Sequence, residues 1–166
     1  EGRLIVADEQ AGMVRRLTFA ADGGATVETL AGGGTWGNLP RGGAFRAGNE
    51  AAGVDARLGQ VFGVTVDAQG DVWVADAMFN MVRRIRLGTP DRRVENMLGS
   101  GISDRLDGPL GEAGFLRPTD LLFEPDGSAI VSPNVVASER SPSISSRAAM
   151  PVRESWPSTC WSCDSL

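Results

Sequence analysis

Residues 63–76 read GVTVDAQGDVWVAD, and this stretch decides the fold that the sequence predicts. Valines occupy alternate positions on both sides of residues 67–70, which is the period of a half-buried β-strand. Residues 67–70 begin with Asp and end with Gly, as a type I turn prefers. A second turn begins at Asp76, and residues 82–87 are the predicted third strand. The stretch therefore predicts an antiparallel sheet of short strands joined by tight turns.

Two other parts of the chain repeat this unit. Residues 3–19 match residues 71–87, because Met13 falls on Met81 at an offset of 68 positions. This first unit lacks its opening strand, so the chain begins in mid-motif, and we expect it to be a fragment or a processed form. A third unit begins near residue 121 and stops after residue 131. The predicted strands are 63–67, 71–76, 81–87 and 93–98 in the second unit, and 3–8, 13–19 and 26–31 in the first.

The second unit carries a spaced set of motifs: Gly63-Val64, Asp67, Gly70, Val74-Ala75-Asp76, Asn80 and Arg83-Arg84-Ile85. In this order and spacing the motifs resemble the NHL-repeat family of β-propellers. The family pattern has a Gly-Val strand, an Asp-x-x-Gly turn, a Val-Ala-Asp strand end and an Asn-x-x-Ile-Arg strand. The chain departs from it at Val61, where the family has Pro, and at Gly12, where the family has Asn.

The resemblance implies an all-β fold, a β-propeller fragment of four-stranded antiparallel blades that spans residues 1–131. Since one blade cannot bury both of its faces, neighbouring blades must share a core. A closed propeller needs about 4–8 blades, whereas the chain holds roughly two and a half. We therefore expect an exposed blade face unless further blades of a parent chain, or another subunit, cover it. Residues 132–166 are rich in Ser and Pro, which predicts a disordered or out-of-pattern tail.

The apolar strand residues are the expected core. Asp8 and Asp76 each end a strand, and we interpret them as turn residues that accept backbone hydrogen bonds rather than as catalytic groups. Trp73 is interpreted as packing between blades, with a platform for a ligand as the alternative. The core residues we predict are Ile5, Val6, Val14, Leu17, Val64, Val66, Val72, Val74, Val82, Ile85, Leu121, Phe123 and Ile130.

Composition and charge exclude several classes of function. The formal net charge is −5, which argues against a nucleic-acid partner. The chain has no histidine, so it cannot supply a Ser-His-Asp triad or a His-ligated zinc site by itself. No run of 18 apolar residues is present, so the sequence predicts no membrane span.

Two local motifs predict no function of their own. Arg15-Arg16 and Arg83-Arg84 recur on one strand of each unit, but neighbouring strand residues face opposite sides of a sheet and form no basic patch. We expect one Arg of each pair to meet acidic residues of the neighbouring blade. The Cys-x-x-Cys at 160–163 has neither a thioredoxin-like setting nor a second such motif, so it predicts no redox or zinc site.

The glycine-rich connection at 33–60 is the predicted binding loop. Connections this long are often functional, although a loop that merely covers one end of the fold is the simpler alternative. Trp36, Arg41, Phe45 and Arg46 are the candidate binding residues, because interfaces favour aromatic residues and arginine. The sequence thus predicts a non-catalytic scaffold that binds a protein or a small ligand through its loops, with no cofactor and no metal.

A calcium-dependent propeller enzyme, of the hydrolase or lyase kind, is the alternative function. Asp104, Asp107 and Glu112 are acidic loop residues whose oxygens could ligate calcium. The lyases that resemble this family also use histidine ligands, which this chain lacks. The sequence therefore favours the binding scaffold over the enzyme.

Overall fold

The computed structural model describes residues 2–33, 51–103, 107–109, 112–133 and 146–148. The predicted binding residues Trp36, Arg41, Phe45 and Arg46 lie outside the described residues, as does Asp104. Cys160 and Cys163 also lie outside them.

The described residues form three antiparallel sheets, which we call blades 1, 2 and 3. Within each blade the strands pair in chain order, as consecutive hairpins do. A single 3-10 turn at Gly53–Asp55 is the only helical element in the described ranges. Blade 1 contains β1 (Arg3–Asp8), β2 (Met13–Phe19) and β3 (Ala25–Gly32); blade 2 contains β4 (Val61–Val66), β5 (Val72–Asp76), β6 (Met81–Ile85) and β7 (Val94–Leu98); blade 3 contains β8 (Pro118–Phe123), β9 (Ala129–Pro133) and β10 (Ser146–Ala148).

These bounds confirm the strands predicted for the first two units. Within the described part of the chain, blade 2 has its four predicted strands and blade 1 has the three strands predicted for it. The repeat also holds in three dimensions. Val64 pairs with Val74 in blade 2, and Leu121 pairs with Val131 in blade 3, with a register shift on the same side of both pairs. β4 and β8 are therefore equivalent innermost strands.

The blades stack on one another mainly through β4. β4 contacts both β1 and β8, and β5 also contacts β8. Gly63 shows how close this approach is, because a Cβ added there would lie 2.6 Å from the Asp120 Cα of β8. Real Cβ atoms do not come so near a backbone atom, so the contact between blades 2 and 3 requires glycine at this position.

Each face of blade 2 contributes to a different hydrophobic cluster. Val74 and Ile85 pack with Val14 and Leu30 of blade 1. The opposite face of blade 2 packs against Leu121, Ala129 and Val131 of blade 3. Because adjacent strand residues point to opposite faces, one four-stranded sheet takes part in two cores. Stacked antiparallel blades that share cores in this way are the architecture of a β-propeller.

Trp73 packs between blades, as predicted. It is 2% exposed, and its ring meets that of Phe123 edge-on at 5.3 Å between centroids. The indole Nε1 donates a 2.7 Å hydrogen bond to Asp67 Oδ2, so the polar end of the buried ring is satisfied. Trp73 thus joins blade 2 to blade 3 and offers no open platform to a ligand.

The core prediction is wrong at Val66, which is 48% exposed. Val66 ends β4 on the face shared with Val64, which packs against the cluster between blades 1 and 2. In the described residues blade 1 has no innermost strand to cover this end of β4. The residues of the prediction that are buried are Val14, Val72, Val74, Val82, Ile85 and Leu121, whereas Ile5, Val6, Leu17, Val64, Phe123 and Ile130 are partly buried.

The arginine pairs face opposite sides of their strands, but their acidic partners lie on the same blade. Arg84 is the cross-strand neighbour of Glu95, and its Nε lies 3.0 Å from Glu95 Oε2. Arg16 is the cross-strand neighbour of Glu28, 2.6 Å away. The expectation of partners on the neighbouring blade is therefore wrong. Adjacent strands lie about 5 Å apart and packed sheets about 10 Å apart, so a cross-strand acid is within easier reach.

Blade 3 extends beyond the last repeat residue found in the sequence. β9 continues to Pro133, and Ser146 pairs with Val131 as part of β10. The sequence pattern does not predict this strand, and the other residues of the 132–166 tail lie outside the described residues. No helix within the described ranges is long and apolar enough to cross a membrane.

Candidate functional site

Two equivalent turns mark one end of the blades. Residues 9–12 join β1 to β2, and residues 77–80 join β5 to β6. Each turn ends in a left-handed residue, Gly12 at φ 60° and Asn80 at φ 52°. Gly and Asn are the residues that tolerate this conformation best, which explains why Gly12 can stand where the family pattern has Asn.

The strand-ending aspartates hold these turns, as predicted. Asp8 Oδ1 accepts a hydrogen bond from the Ala11 N–H at 3.2 Å. At the equivalent place in blade 2, Asp76 Oδ1 accepts one from the Phe79 N–H at 3.3 Å. Both carboxylates thus have a structural role in their turns.

Around Asp76 the turn is covered by the segment that leads into β4. The Gly59 N–H donates to Asp76 Oδ2 at 3.1 Å, and the Arg83 guanidinium lies 3.3 Å from the same oxygen. Arg83 also donates to the backbone carbonyl of Arg57. The Asp76 and Arg83 side chains are fully buried, and Arg83 lies 5.9 Å from the centre of the Phe79 ring.

Burial raises the pKa of Asp76, because a low-dielectric environment disfavours the charged carboxylate. The positive charge of Arg83 and the N–H groups of Gly59 and Phe79 act in the opposite direction. These partners allow a carboxylate to be buried here, and they fix residues 57–59 against the turn at 77–80.

A groove of about 330 Å³ lies at this end of blades 1 and 2. Its walls are the turn at 9–12, the segment at 58–60 and Met78. Met78 is half exposed and offers an apolar surface, whereas Glu9 and Gln60 offer polar groups. We call this end of the blades, comprising residues 9–12, 57–60, 77–80 and Arg117, the loop face.

Polar side chains connect all three blades across the loop face. Gln60 Nε2 donates to Glu9 Oε1 at 3.4 Å, and its Oε1 accepts from Arg117 Nη2 at 3.0 Å. The Arg117 N–H donates to Asn80 Oδ1 at 3.0 Å. A carboxylate, a carboxamide and a guanidinium therefore stand in a row beside the groove, where they can exchange their mutual hydrogen bonds for bonds to a ligand.

The loop face includes one end of the predicted binding loop. Leu58, Gly59 and Gln60 close the 33–60 connection and line the groove. Sequence reasoning missed Glu9, Gln60, Met78 and Arg117. The sequence contains part of this signal, because Gln60 and Arg117 directly precede the equivalent strands β4 and β8 and lie 57 positions apart, as do Val64 and Leu121.

The described acidic residues form no metal cluster. In the described ranges no group of three or more Cys, Asp or Glu is arranged to hold a metal ion. Asp107 and Glu112, two of the three candidate calcium ligands, are among these described residues.

Three solved structures share this fold with the chain. A protein of unknown function from Bacteroides thetaiotaomicron aligns with a TM-score of 0.59 and 20% identity, over 78% of this chain and 29% of that one. An auxiliary nutrient binding protein from Bacteroides ovatus aligns with a TM-score of 0.56 and 18% identity, over 76% of this chain and 31% of that one. A second auxiliary nutrient binding protein, from Bacteroides thetaiotaomicron, gives a TM-score of 0.55 and 16% identity, over 78% and 31% of the two chains.

These likenesses establish the fold alone. The chain spans 29–31% of the length of the three solved structures. No protein-family model matches the chain, and no curated protein matches it. Together with the stacked sheets, the likenesses define the chain as an all-β segment of a β-propeller.

Proposed function

We propose that this chain is an NHL-type propeller segment that acts as a non-catalytic binding scaffold through its loop face. The observation that carries the proposal is the groove flanked by the row of Glu9, Gln60 and Arg117. Loops held by a rigid sheet scaffold are common places for binding residues. Here three blades contribute to one surface, so the surface depends on the stacking of the repeats.

The chemistry of the groove favours a small polar ligand or a polar segment of a protein. Its volume is at the lower end of the range of ligand sites, about 300–1,000 Å³. Glu9 accepts hydrogen bonds, Arg117 donates them and Gln60 does both, so a ligand with donors and acceptors on one edge is complementary. The names of the two nutrient-binding proteins of similar fold are compatible with a small solute.

Thermal stabilisation tests the proposal. A ligand that binds the folded chain raises its stability in proportion to the logarithm of the ligand concentration. We expect at least one member of a panel of free amino acids, dipeptides and simple sugars, each at millimolar concentration, to raise the melting temperature, and the rise to grow with the logarithm of its concentration. Gln60→Ala should abolish that rise, whereas Gln69→Ala should keep it, since Gln69 lies in an exposed turn at the opposite end of blade 2.

The predicted binding loop is tested with the same assay. If residues 33–60 contribute to binding, Trp36→Ala should weaken the response to the ligand and leave the stability of the free chain unchanged. If the loop only covers one end of the fold, Trp36→Ala should lower stability and leave the affinity per folded molecule unaltered.

Equilibrium dialysis against calcium separates the scaffold from the alternative enzyme. The scaffold predicts no stoichiometric calcium site. A tight site that is lost on replacement of Asp107 or Glu112 by the corresponding amide would favour the calcium-dependent enzyme instead.

A further inference from the structure

Charges of opposite sign stand at the two ends of the polar row beside the groove. Gln60 Nε2 donates to the Glu9 carboxylate at 3.4 Å, and Gln60 Oε1 accepts from the Arg117 guanidinium at 3.0 Å. The row is thus an anion, a carboxamide and a cation, in that order. A ligand that meets both ends of the row needs a cationic donor next to Glu9 and an anionic acceptor next to Arg117.

The contacts within the row are weak enough to be replaced. Glu9 and Arg117 are exposed and Gln60 is partly exposed, so water screens their charges. The 3.4 Å distance to Glu9 is longer than the usual N–H···O range, which ends at about 3.2 Å. An ammonium or a carboxylate in place of the neutral carboxamide adds the attraction of opposite charges to each hydrogen bond.

The spacing of the row suits two charged groups that are close together in one molecule. The nitrogen and oxygen of a carboxamide lie about 2.2 Å apart, as standard bond lengths require. The nitrogen of an α-amino acid lies about 3 Å from its carboxylate oxygens. Charge-assisted bonds of about 2.8 Å, against the present contacts of 3.4 and 3.0 Å, make up this difference. The α-ammonium and α-carboxylate of one amino acid therefore fit between Glu9 and Arg117.

The backbone of Arg117 is held in position by blade 2. Its N–H donates to Asn80 Oδ1 at 3.0 Å, in the turn between β5 and β6. Its φ is 50°, a value that few residues other than glycine adopt. Such conformations persist where the surrounding structure imposes them, and they concentrate at ligand sites. The guanidinium thus reaches the row from a backbone that is already fixed.

The groove beside the row offers an apolar surface to a side chain. Met78 lines the groove and is 49% exposed. Leu58 lines the same groove from the segment that precedes β4. A methionine side chain is flexible and adapts to the shape of an apolar partner. An aliphatic amino acid can therefore place its charged end on the row and its side chain against Met78.

We propose that the loop face selects a free α-amino acid with an aliphatic side chain, an inference that rests on the proposed binding function of this surface. The α-ammonium binds Glu9, the α-carboxylate binds Arg117, and the side chain packs on Met78. A half-turn of the terminal amide of Gln60 about its soft torsion lets Oε1 accept from the ammonium and Nε2 donate to the carboxylate. Sugars, and compounds with a single charge, leave Glu9 or Arg117 without an opposite charge.

L-Leucine is the probe, and two derivatives that each lack one of its charges are the controls. The carboxylate is blocked in L-leucinamide, and the ammonium is blocked in N-acetyl-L-leucine. Each compound is titrated into the 166-residue chain at about pH 6.5, where free α-amines are protonated. The nitrogen-15 signals of the Gln60 side chain and the Gly12 backbone report the dissociation constant. We expect leucine to bind at least about tenfold more tightly than either derivative, as for a hydrogen bond between charged groups.

Variants of the chain assign each charged group of leucine to its partner. Arg117→Gln should weaken leucine binding about tenfold and should not weaken leucinamide binding, because leucinamide has no carboxylate. Glu9→Gln should likewise weaken leucine binding and spare N-acetylleucine. Arg3→Gln and Asp22→Asn are the matched controls, and both should leave leucine binding unchanged. Arg3 is exposed at the far end of β1, and Asp22 is exposed in the turn between β2 and β3.

Several results would overturn the proposal. Equal binding of leucine and its two derivatives is one, and wild-type affinity of folded Arg117→Gln or Glu9→Gln for leucine is another. If a sugar stabilised the chain through the loop face and leucine did not bind, the binding scaffold would stand and the amino-acid ligand would be wrong. If neither leucine nor any other member of the panel shifted the signals of the loop face, both the proposed function and this inference would fail.

Discussion

Replacing Asp76 by Asn tests whether the buried pair beneath the loop face supports the fold. Asn keeps the size of the side chain and removes its charge. Arg83 then remains as a buried cation without its carboxylate counter-ion, and the Gly59 N–H loses a charged acceptor. Breaking a buried ion pair costs about 3–5 kcal/mol. Because Arg83 still donates to the Arg57 carbonyl and lies over the Phe79 ring, we expect a value near the lower end, about 3 kcal/mol.

The chain contains its own matched control for this experiment. Asp8 occupies the same position in blade 1 and makes the same turn hydrogen bond, but its ion pair is 36% exposed on both sides. Solvent screens such a pair, so Asp8→Asn should cost less than about 1 kcal/mol. The two variants differ mainly in burial, which makes the difference between them the informative quantity.

Urea unfolding followed by circular dichroism measures both costs, with the free energy of unfolding extrapolated to water. The double variant with Asp76→Asn and Arg83→Met should recover much of the loss, because no charge then remains buried at this place. If Asp76→Asn and Asp8→Asn both lowered the free energy of unfolding by less than about 1 kcal/mol, the buried Asp76–Arg83 pair would not support the loop face, and this prediction would be refuted.

Two further predictions concern packing and charge. Val74→Asp should lower the free energy of unfolding by more than about 3 kcal/mol, because it places an unpaired charge in the core between blades 1 and 2. Val66→Asp is the control at an exposed position. If the two changes lowered the melting temperature equally, Val74 would not lie in the core. Glu28→Gln should cost about 0.5 kcal/mol at neutral pH, a small value because the side chain is 43% exposed. Hydrogen bonds from Arg16 and then Arg92 lower the pKa of Glu28 below its usual 4.5, so its contribution is present above that pH and is lost as the pH falls through the lowered pKa. If the free energies of unfolding of wild type and Glu28→Gln still differed in strong acid, the charge of Glu28 would not be the cause of the difference.

The repeats allowed the strands of the first two blades to be predicted from sequence. The alternating valines and the Asp-Gly turns are local signals for strands and turns. Because the first two units match at an offset of 68 positions, strands identified in one unit predict those of the other. Gly12 and Asn80 show why a substitution within the repeat did not obscure it. Both positions need a positive φ, and the two residue types share the ability to adopt it.

The contacts between blades could not be predicted in the same way. The prediction that the arginine pairs meet acids of the neighbouring blade is wrong, because alternation gives the face of a sheet on which a side chain lies but not its distance to each acid. Register decides the partner, and it places Glu95 directly across from Arg84. The prediction that Val66 lies in the core is wrong for a similar reason. Val66 follows the same alternation as Val64, but its burial depends on whether another strand covers it.

The candidate site, too, is predicted from sequence only where local signals determine it and not where contacts between blades do. The sequence predicts that loops at one end of the blades carry the binding residues, and this stays a prediction; residues 9–12 and 58–60 line a groove at that end. Gln60 and Arg117 meet because β4 and β8 stack, although they are far apart in sequence. The local spacing of residues in the sequence does not predict a contact between residues so far apart. Alignment of the repeats shows the two positions as equivalent, and the stacking of the blades then brings them together.

Chemical-shift mapping is the measurement that tests binding at the loop face most directly. The chain is labelled with nitrogen-15 and titrated with the ligand that raises its melting temperature. We expect the shifts to concentrate at residues 9–12, 58–60, Met78 and Arg117. Shifts confined to the turns at the opposite end of the blades, residues 20–24, 67–71 and 124–128, would contradict it, as would a panel in which no compound stabilises the chain.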